Sequence, residues 1–261
     1  MASSTLYVVG HICLDDVVLP GLKLSGVLGG PPTYVGFTAK YFGVDLSLFS
    51  TVGYDFDAAL FKRFSDSSFD VSHVLQVDQP TTRFELVYDS DWSRRLRLIS
   101  KCGDVFVDGL SPSSNDGLII SPVCGEASVE TLFSLSCLKG FKAIDLQGFV
   151  RNFLDDGSVR LGTLTIPLDL LSNFNLIKAS LDELKAGFNC DDLSSCIDLL
   201  LDLGVEIILV TLGGRGFYLF WEGDLWFYPA FPEVYVANPT GCGDALLGGY
   251  LAHYLASRDH H

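Results

Sequence analysis

Residues 238–244 (NPTGCGD) place small residues and an aspartate at the start of a helix predicted over residues 241–256. Glycines let backbone N–H groups converge on one point, and a helix N-terminus adds roughly half a positive charge there. Together they could form an anion hole for a phosphoryl group without a lysine. Asp244 lies at its edge, where a carboxylate can accept the proton of an attacking hydroxyl. Taken alone, an aspartate that caps a glycine-rich helix start explains the segment equally well.

Two further glycine-rich turns have chemical potential. Residues 210–216 (VTLGGRG) follow a strongly apolar segment, and such a turn lets the phosphates or ribose of a nucleotide approach the backbone. Residues 29–33 (GGPPT) precede a predicted helix and could open space for a polyol. Upstream, Asp15 could bind two hydroxyls of a sugar or cyclitol. Each feature alone is also compatible with an ordinary turn or a loop aspartate.

The elements that must position these residues alternate between strand and helix. Short apolar runs predict buried strands, and amphipathic segments between them predict helices, which indicates a mostly parallel sheet covered on both faces. Residues 72–100 differ, because they are polar and β-rich and predict a hairpin over one face of the main domain. A length of 261 residues suits a single domain over residues 1–261.

Composition excludes several classes of protein. The net charge of −15 disfavours nucleic-acid binding and requires a polyanionic ligand to be held locally by cations, backbone amides and Mg²⁺. Seven scattered cysteines indicate reduced thiols, and we expect a cytoplasmic protein without signal peptide or membrane span. The first strand lacks the dinucleotide-binding fingerprint, and no Walker motif occurs.

The order and spacing of the motifs resemble the ribokinase-like (PfkB) family of carbohydrate kinases. The matching features are Gly10 with Asp15, the Gly29-Gly30 pair, and residues 51–55 (TVGYD), 211–216 (TLGGRG) and 241–244 (GCGD). The resemblance covers nearly the whole chain. It implies an α/β, three-layer ribokinase-like fold, with a mostly parallel central sheet, helices on both faces and a small β-lid formed by residues 72–100.

The resemblance also implies roles for individual residues. Asp244 would be the catalytic base, and the amides of Gly241, Cys242 and Gly243 would stabilise charge on the transferred phosphoryl group. Mg²⁺ would lie near Glu183, although Ser180 replaces the usual asparagine there and implies a more water-mediated metal shell. ATP would be the donor, and its predicted binding residues are Lys178, Thr211, Gly213, Gly214 and Gly216. The predicted acceptor-binding residues are Asp15, Gly29, Gly30, Gln147 and Arg151.

Residues 145–151 (DLQGFVR) are similar to a stretch of the inositol-kinase branch in plants and archaea. In this reading Arg151 touches the γ-phosphate or the acceptor, and a surface salt bridge is the alternative. Tyr34 replaces an asparagine that the family commonly has near the di-glycine helix. Residues 94, 95 and 97 are arginines that we expect to lie on a solvated strand.

The sequence therefore predicts ATP-dependent phosphorylation of a small polyol or sugar, with a myo-inositol-like cyclitol favoured. A nucleoside kinase of the same family and a non-catalytic regulatory protein remain alternatives. The expected partners are ATP and a small-molecule acceptor, without nucleic acid or membrane. We expect a monomer or a homodimer formed through the lid.

Overall fold

The computed structural model of the chain describes residues 4–232, 236–258 and 260. In chain order its elements are β1 (Thr5–Val9), β2 (Cys13–Leu19), β3 (Leu22–Gly29), α1 (Pro31–Tyr41), β4 (Asp45–Val52), α2 (Ala58–Asp66), β5 (Asp70–Gln76), β6 (Arg83–Tyr88), β7 (Arg94–Ser100), β8 (Gly117–Ile120), α3 (Val129–Ser136), β9 (Phe141–Asp145), β10 (Arg151–Phe153), β11 (Val159–Leu161), β12 (Leu176–Ser180), α4 (Leu181–Phe188), α5 (Leu193–Asp202), β13 (Ile207–Thr211), β14 (Gly216–Trp221), β15 (Asp224–Pro229) and α6 (Cys242–Ser257).

The main sheet has nine strands in the order β15-β14-β13-β12-β9-β8-β1-β4-β5. The strands from β13 to β5 run parallel to their neighbours, and β14 and β15 add an antiparallel edge. Successive strand residues face opposite cores. Val8 and Ile119 pack with α1 and α6, whereas Val9 and Ile120 pack with α3, α4 and α5. Burial on both faces is the hallmark of a parallel sheet between two helical layers, so the predicted three-layer fold is confirmed.

A second, four-stranded sheet has the order β3-β2-β6-β7 and forms the lid. The structure corrects the predicted hairpin of residues 72–100 in two respects. Residues 72–76 belong to β5, because this segment pairs with β4 and buries Val74 in the main core. Strands β2 and β3 also belong to the lid, because β2 pairs with both β3 and β6. The β10–β11 hairpin meets the lid where the Leu98 N–H donates to the Gly157 carbonyl over 2.8 Å.

Helix starts differ in a way that matters for the site. The N-caps of α2, α3 and α5 are Asp57, Ser128 and Asp192, and each side chain accepts a hydrogen bond from its helix. By contrast, α6 begins after Gly241 without a side-chain cap. A capping side chain would satisfy N–H groups of the first turn. The start of α6 therefore keeps its helix-terminal charge available to an external anion.

Candidate active site

The carboxyl ends of β9 and β12 meet the N-terminus of α6, and the carboxyl end of β13, the parallel neighbour of β12, lies at the same edge of the main sheet. In an open α/β sheet this edge is where ligands bind. Gly241 adopts a φ of +79°, a left-handed conformation that favours glycine. A Cβ on Gly241 would lie only 2.3 Å from Cγ of Tyr34, so the tyrosine ring packs directly against the turn. The Cys242 N–H, one of the three predicted anion-hole amides, donates to the Pro239 carbonyl over a long 3.3 Å.

Asp244 is half-buried in the first turn of α6 and does not cap the helix. Its Oδ1 accepts a hydrogen bond of 3.2 Å from Nε2 of Gln147. Burial raises the pKa of Asp244 to about 6 and the nearby charge of Asp145 adds to this, although the cations of Lys178 and Arg151 oppose the shift. A carboxylate with a pKa near 6 is ionised at neutral pH and is still basic enough to take a proton.

Beneath the predicted anion hole lies a buried ion pair. Lys178 Nζ is 2.7 Å from Oδ2 of Asp145, and both side chains are shielded from solvent. A Cβ on Gly243 would lie 3.2 Å from the same Nζ, so this ammonium sits directly under the turn. The pKa of Lys178 is raised: burial opposes its charge, but the carboxylates of Asp145, Asp244 and Glu183 more than compensate. Lys178 was predicted to bind the nucleotide, and the structure places it in the interior behind the turn.

Gln147 and Arg151 connect Asp244 to the neighbouring loop. Besides Asp244, the Gln147 amide contacts Ser121 and Asp145. Arg151 donates to Oε1 of Gln147 over 2.9 Å and to the Val123 carbonyl over 3.0 Å. These two contacts use only two of the five guanidinium N–H groups, so Arg151 can also donate to an anion. The surface salt bridge considered for Arg151 is not present among the described residues.

A small pocket opens in front of Asp244, between α1 and the lid. Its lining includes Asp15, Gly30, Tyr34, Gln147, Arg151 and Asp244. Asp15 is 5% exposed, and its Oδ1 accepts from the Phe84 N–H over 3.1 Å. Burial raises the pKa of Asp15 to about 7, despite that hydrogen bond and the charges of Arg151 and Arg94. Asp15 and Asp244 therefore line the same pocket.

The di-glycine shapes this pocket by its lack of side chains. A Cβ on Gly29 would lie 2.0 Å from Oδ2 of Asp15, so glycine is needed to accommodate the carboxylate. Gly30 has a φ of +80°, and a Cβ there would meet the His11 carbonyl oxygen at 2.1 Å. The lid closes over the same region, where the hydroxyls of Tyr88 and Thr240 lie 2.9 Å apart. This bond links the lid directly to the turn before α6.

Glu183, the predicted metal-site residue, lies at the start of α4. It forms a capping box with Ser180, in which Oε2 of Glu183 accepts from the Ser180 N–H over 2.7 Å. Burial opposes its ionisation, but the cations of Lys178 and Arg151 lower the pKa of Glu183, so it carries a negative charge. Its second oxygen remains available, and Mg²⁺ keeps several waters when bound by one or two carboxylates. These residues fit a water-mediated Mg²⁺ site.

The turn that follows β13 is open. Gly213 has a φ of +60°, and a Cβ on Gly213 or Gly214 would meet nothing within 4 Å. A ligand could therefore approach this backbone beside Thr211, as predicted for a nucleotide. At Gly216 glycine is required for a different reason. A Cβ there would lie 2.1 Å from the carbonyl oxygen of Tyr228 on the paired strand β15.

Sequence reasoning missed two features of this site. It named Asp145 only as part of a motif, although its position at the carboxyl end of β9 marks it as a site residue. It also assigned Arg94 to a solvated strand, yet this side chain lines the pocket that contains Asp15 and Asp244. A lid that folds back over the sheet brings Arg94 there, and no local pattern reveals that fold-back.

One cluster outside the site, formed by His11, Cys124 and Glu126, has side chains close enough to hold a metal ion. Its groups are already satisfied. His11 bonds to Thr82 and to the Gly103 carbonyl, and Glu126 accepts from backbone N–H groups of the 123–124 loop. The cluster therefore fixes the loop whose Val123 carbonyl anchors Arg151.

None of the helices within residues 4–232, 236–258 and 260 could span a lipid bilayer.

Comparisons with known proteins are consistent with this geometry. The model of the pfkB family of carbohydrate kinases matches residues 5–261. Inositol 3-kinase of Arabidopsis thaliana is 26% identical over 94% of this chain, which spans 66% of that relative's length. Cytidine kinase of Thermococcus kodakarensis is 25% identical over 97% of the chain and 89% of the relative. A solved pyrophosphate-dependent kinase in the ribokinase family, in complex with a pyrophosphate analogue and myo-inositol, superposes with a TM-score of 0.83 at 21% identity, covering 97% of this chain and 88% of its own.

Proposed function

Because the chain belongs to the pfkB family of carbohydrate kinases, we propose that it phosphorylates a hydroxyl of a small polyol, with a myo-inositol-like cyclitol as the favoured acceptor and ATP as a donor. The observation that carries the proposal is the position of Asp244. Its carboxylate, with a pKa of about 6, lies at an uncapped helix start and faces a pocket that also contains Asp15.

In the proposed mechanism, Asp15 holds two acceptor hydroxyls and orients a third towards Asp244. Asp244 removes the proton of that hydroxyl as its oxygen attacks the terminal phosphorus in line. The amides around Gly241 and Gly243 and the ammonium of Lys178 stabilise the charge on the transferred group. The Gln147 amide holds the base in place through its 3.2 Å hydrogen bond. Mg²⁺, when bound near Glu183, would neutralise charge on the donor phosphates.

The choice of a cyclitol is supported by the residues that line the acceptor pocket. Tyr34 fills the space between α1 and Gly241, and the pocket is compact. A six-membered polyol presents hydroxyls around its whole rim, which suits Asp15 on one side and Asp244 on the other. Two relatives support the same class, since one is named for inositol and a structural neighbour contains myo-inositol. The relative named for cytidine keeps nucleosides as the second candidate acceptor.

An acceptor screen tests the proposal. The purified protein is incubated with Mg-ATP and, separately, with myo-inositol, other polyols, hexoses, ribose and nucleosides, and ADP release and the phosphorylated product are measured. We expect turnover of cyclitols above all others. Turnover of nucleosides without turnover of inositol would show that the acceptor is a nucleoside and not a cyclitol. If the protein neither binds Mg-ATP nor turns over any acceptor, a regulatory role would be favoured.

Asp244→Asn tests the base. A general base contributes about 10²–10⁴-fold, so we expect kcat to fall by that range while donor binding measured by calorimetry persists. Asp198→Asn is the matched control, because Asp198 is an exposed carboxylate on α5, remote from the site. Near-normal turnover by Asp244→Asn would remove Asp244 from the mechanism.

A further inference from the structure

A cleft of about 630 Å³ lies between the lid and the β10–β11 hairpin. One wall is formed by β6 and β7, the other by β11, and the start of α4 forms its floor. Arg94 and Arg151 line both this cleft and the acceptor pocket that contains Asp244. The cleft therefore opens onto the place where phosphoryl transfer is proposed.

The cleft concentrates positive charge in an acidic protein. Of the nine arginines in the sequence, five line it. They come from three separate elements: Arg94, Arg95 and Arg97 from β7, Arg151 from β10, and Arg160 from β11. In a chain with a net charge of −15, such a concentration creates a local site for an anion.

Among the described residues, two of these arginines have neither an ion pair nor a side-chain hydrogen bond, whereas Arg151 donates to Gln147 and to the Val123 carbonyl. Arg95 and Arg97 pair with Asp89 and Glu85 at 3.4 and 3.2 Å. Within residues 4–232, 236–258 and 260, no carboxylate lies within ion-pair distance of Arg94 or Arg160. A guanidinium presents a planar fork of N–H groups that matches the oxygens of a phosphate.

The floor of the cleft carries the opposite charge. Asp182 and Glu183 lie there beside Ser180. These carboxylates would repel a bare phosphate, but they suit a phosphate chain that carries Mg²⁺, because hard cations prefer oxygen ligands. Arginines on the walls and carboxylates on the floor thus match a metal-bound oligophosphate better than they match a phosphate group on the acceptor.

We infer that this cleft binds inorganic pyrophosphate or a longer oligophosphate, as its Mg²⁺ complex, and that such a molecule serves as a phosphoryl donor. None of the contacts requires a nucleoside. The inference rests on the proposed function for the transfer step. There, the acceptor oxygen forms a bond to the terminal phosphorus and the bridging P–O bond of pyrophosphate breaks. The hydroxyl proton passes to Asp244 and then to the departing phosphate, so the products are a phosphate monoester and hydrogen phosphate.

Calorimetry with magnesium pyrophosphate tests the cleft directly. Asp244→Asn is used as the background so that binding is measured without turnover. On this background, removing Arg94 and Arg160 together (Arg94→Ala/Arg160→Ala) is expected to weaken binding roughly 100-fold, because each charge-assisted hydrogen bond is lost. Arg63→Ala is the matched control, since this arginine lies in the last turn of α2, outside both the cleft and the acceptor pocket, and its removal should leave binding unchanged.

Phosphorus NMR of wild-type protein with pyrophosphate and the best acceptor tests the donor role, and we expect the phosphate monoester and orthophosphate in equal amounts. Equal pyrophosphate affinity with and without Arg94 and Arg160 would overturn the inference. So would an inositol monophosphate that binds the cleft while pyrophosphate does not, since the cleft would then serve the acceptor. Failure of the proposed function gives a different pattern: no acceptor is phosphorylated by either donor, while arginine-dependent pyrophosphate binding persists and supports the cleft assignment.

Discussion

Asp15→Asn is expected to stabilise the folded protein and weaken acceptor binding at the same time. Burial raises the pKa of Asp15 from 3.8 to about 7. Between these two values the folded state holds a proton that the unfolded state has released, so the stability of the wild type falls as pH rises through this window. A neutral asparagine keeps an acceptor for the Phe84 N–H and removes the buried charge.

The magnitude follows from the size of the pKa shift. One pKa unit corresponds to 1.36 kcal/mol, so the raised pKa of Asp15 lowers the stability of the folded state by roughly 4 kcal/mol at pH 8 and by roughly 1.5 kcal/mol at pH 5. The stability gain from Asp15→Asn should therefore be about 2.5 kcal/mol larger at pH 8 than at pH 5. Urea unfolding followed by circular dichroism at the two pH values measures it, because the constant effect of the amide cancels in the difference.

Asp16→Asn is the control, one residue along the same strand. Partial burial opposes its ionisation, but hydrogen bonds from Ser25 and Gly26 and the charge of Arg83 lower the pKa of Asp16. Its carboxylate is ionised in both states from pH 5 to pH 8, so the effect of Asp16→Asn should not change over that range. If the effect of Asp15→Asn is equally independent of pH, Asp15 does not carry a raised pKa.

In activity assays, Asp15→Asn should raise KM for the acceptor by about 10- to 100-fold.

Three further expectations follow from the same geometry. Because only the ionised base accepts a proton, kcat should fall as pH drops below about 6, the pKa of Asp244, in a steady-state pH profile. Gly241→Ala should abolish most turnover because its Cβ would collide with the adjacent aromatic ring, whereas Gly249→Ala, whose Cβ would meet its nearest neighbours at 3.6 Å, should be tolerated. Lys178→Met should lower the free energy of unfolding by about 3–5 kcal/mol, measured by denaturant titration, because it leaves Asp145 buried without its partner.

The sequence predicted the layers of the fold because its signals are local. Each apolar run of a parallel strand is buried on both faces, and β8 and β13 can be read directly from their residues. The lid could not be read in this way. Its strand β2 pairs with β6 across more than sixty residues, and nothing within β2 distinguishes that partner from a strand of the main sheet.

The candidate site likewise contains some residues that the local sequence predicts and others that only the tertiary structure brings together. Gly241 is required by the left-handed turn before α6, and the sequence motif therefore locates it. The roles of Arg94 and Arg160 depend on two hairpins that approach each other over the start of α4. Such proximity is set by tertiary packing, so an arginine on an alternating strand looks solvated until the opposing hairpin is known.

The buried pair of Lys178 and Asp145 is best understood through the turn above it. An apolar pair of similar volume would often be as stable or more stable, because burying two charges is costly. What an apolar pair cannot provide is an ammonium directly under Gly243, where the structure places Nζ of Lys178. Asp145 keeps that ammonium charged in the interior, and Gln147 links the same aspartate to the base. The pair is therefore explained by the charge that it holds beneath the proposed anion hole rather than by the stability that it adds.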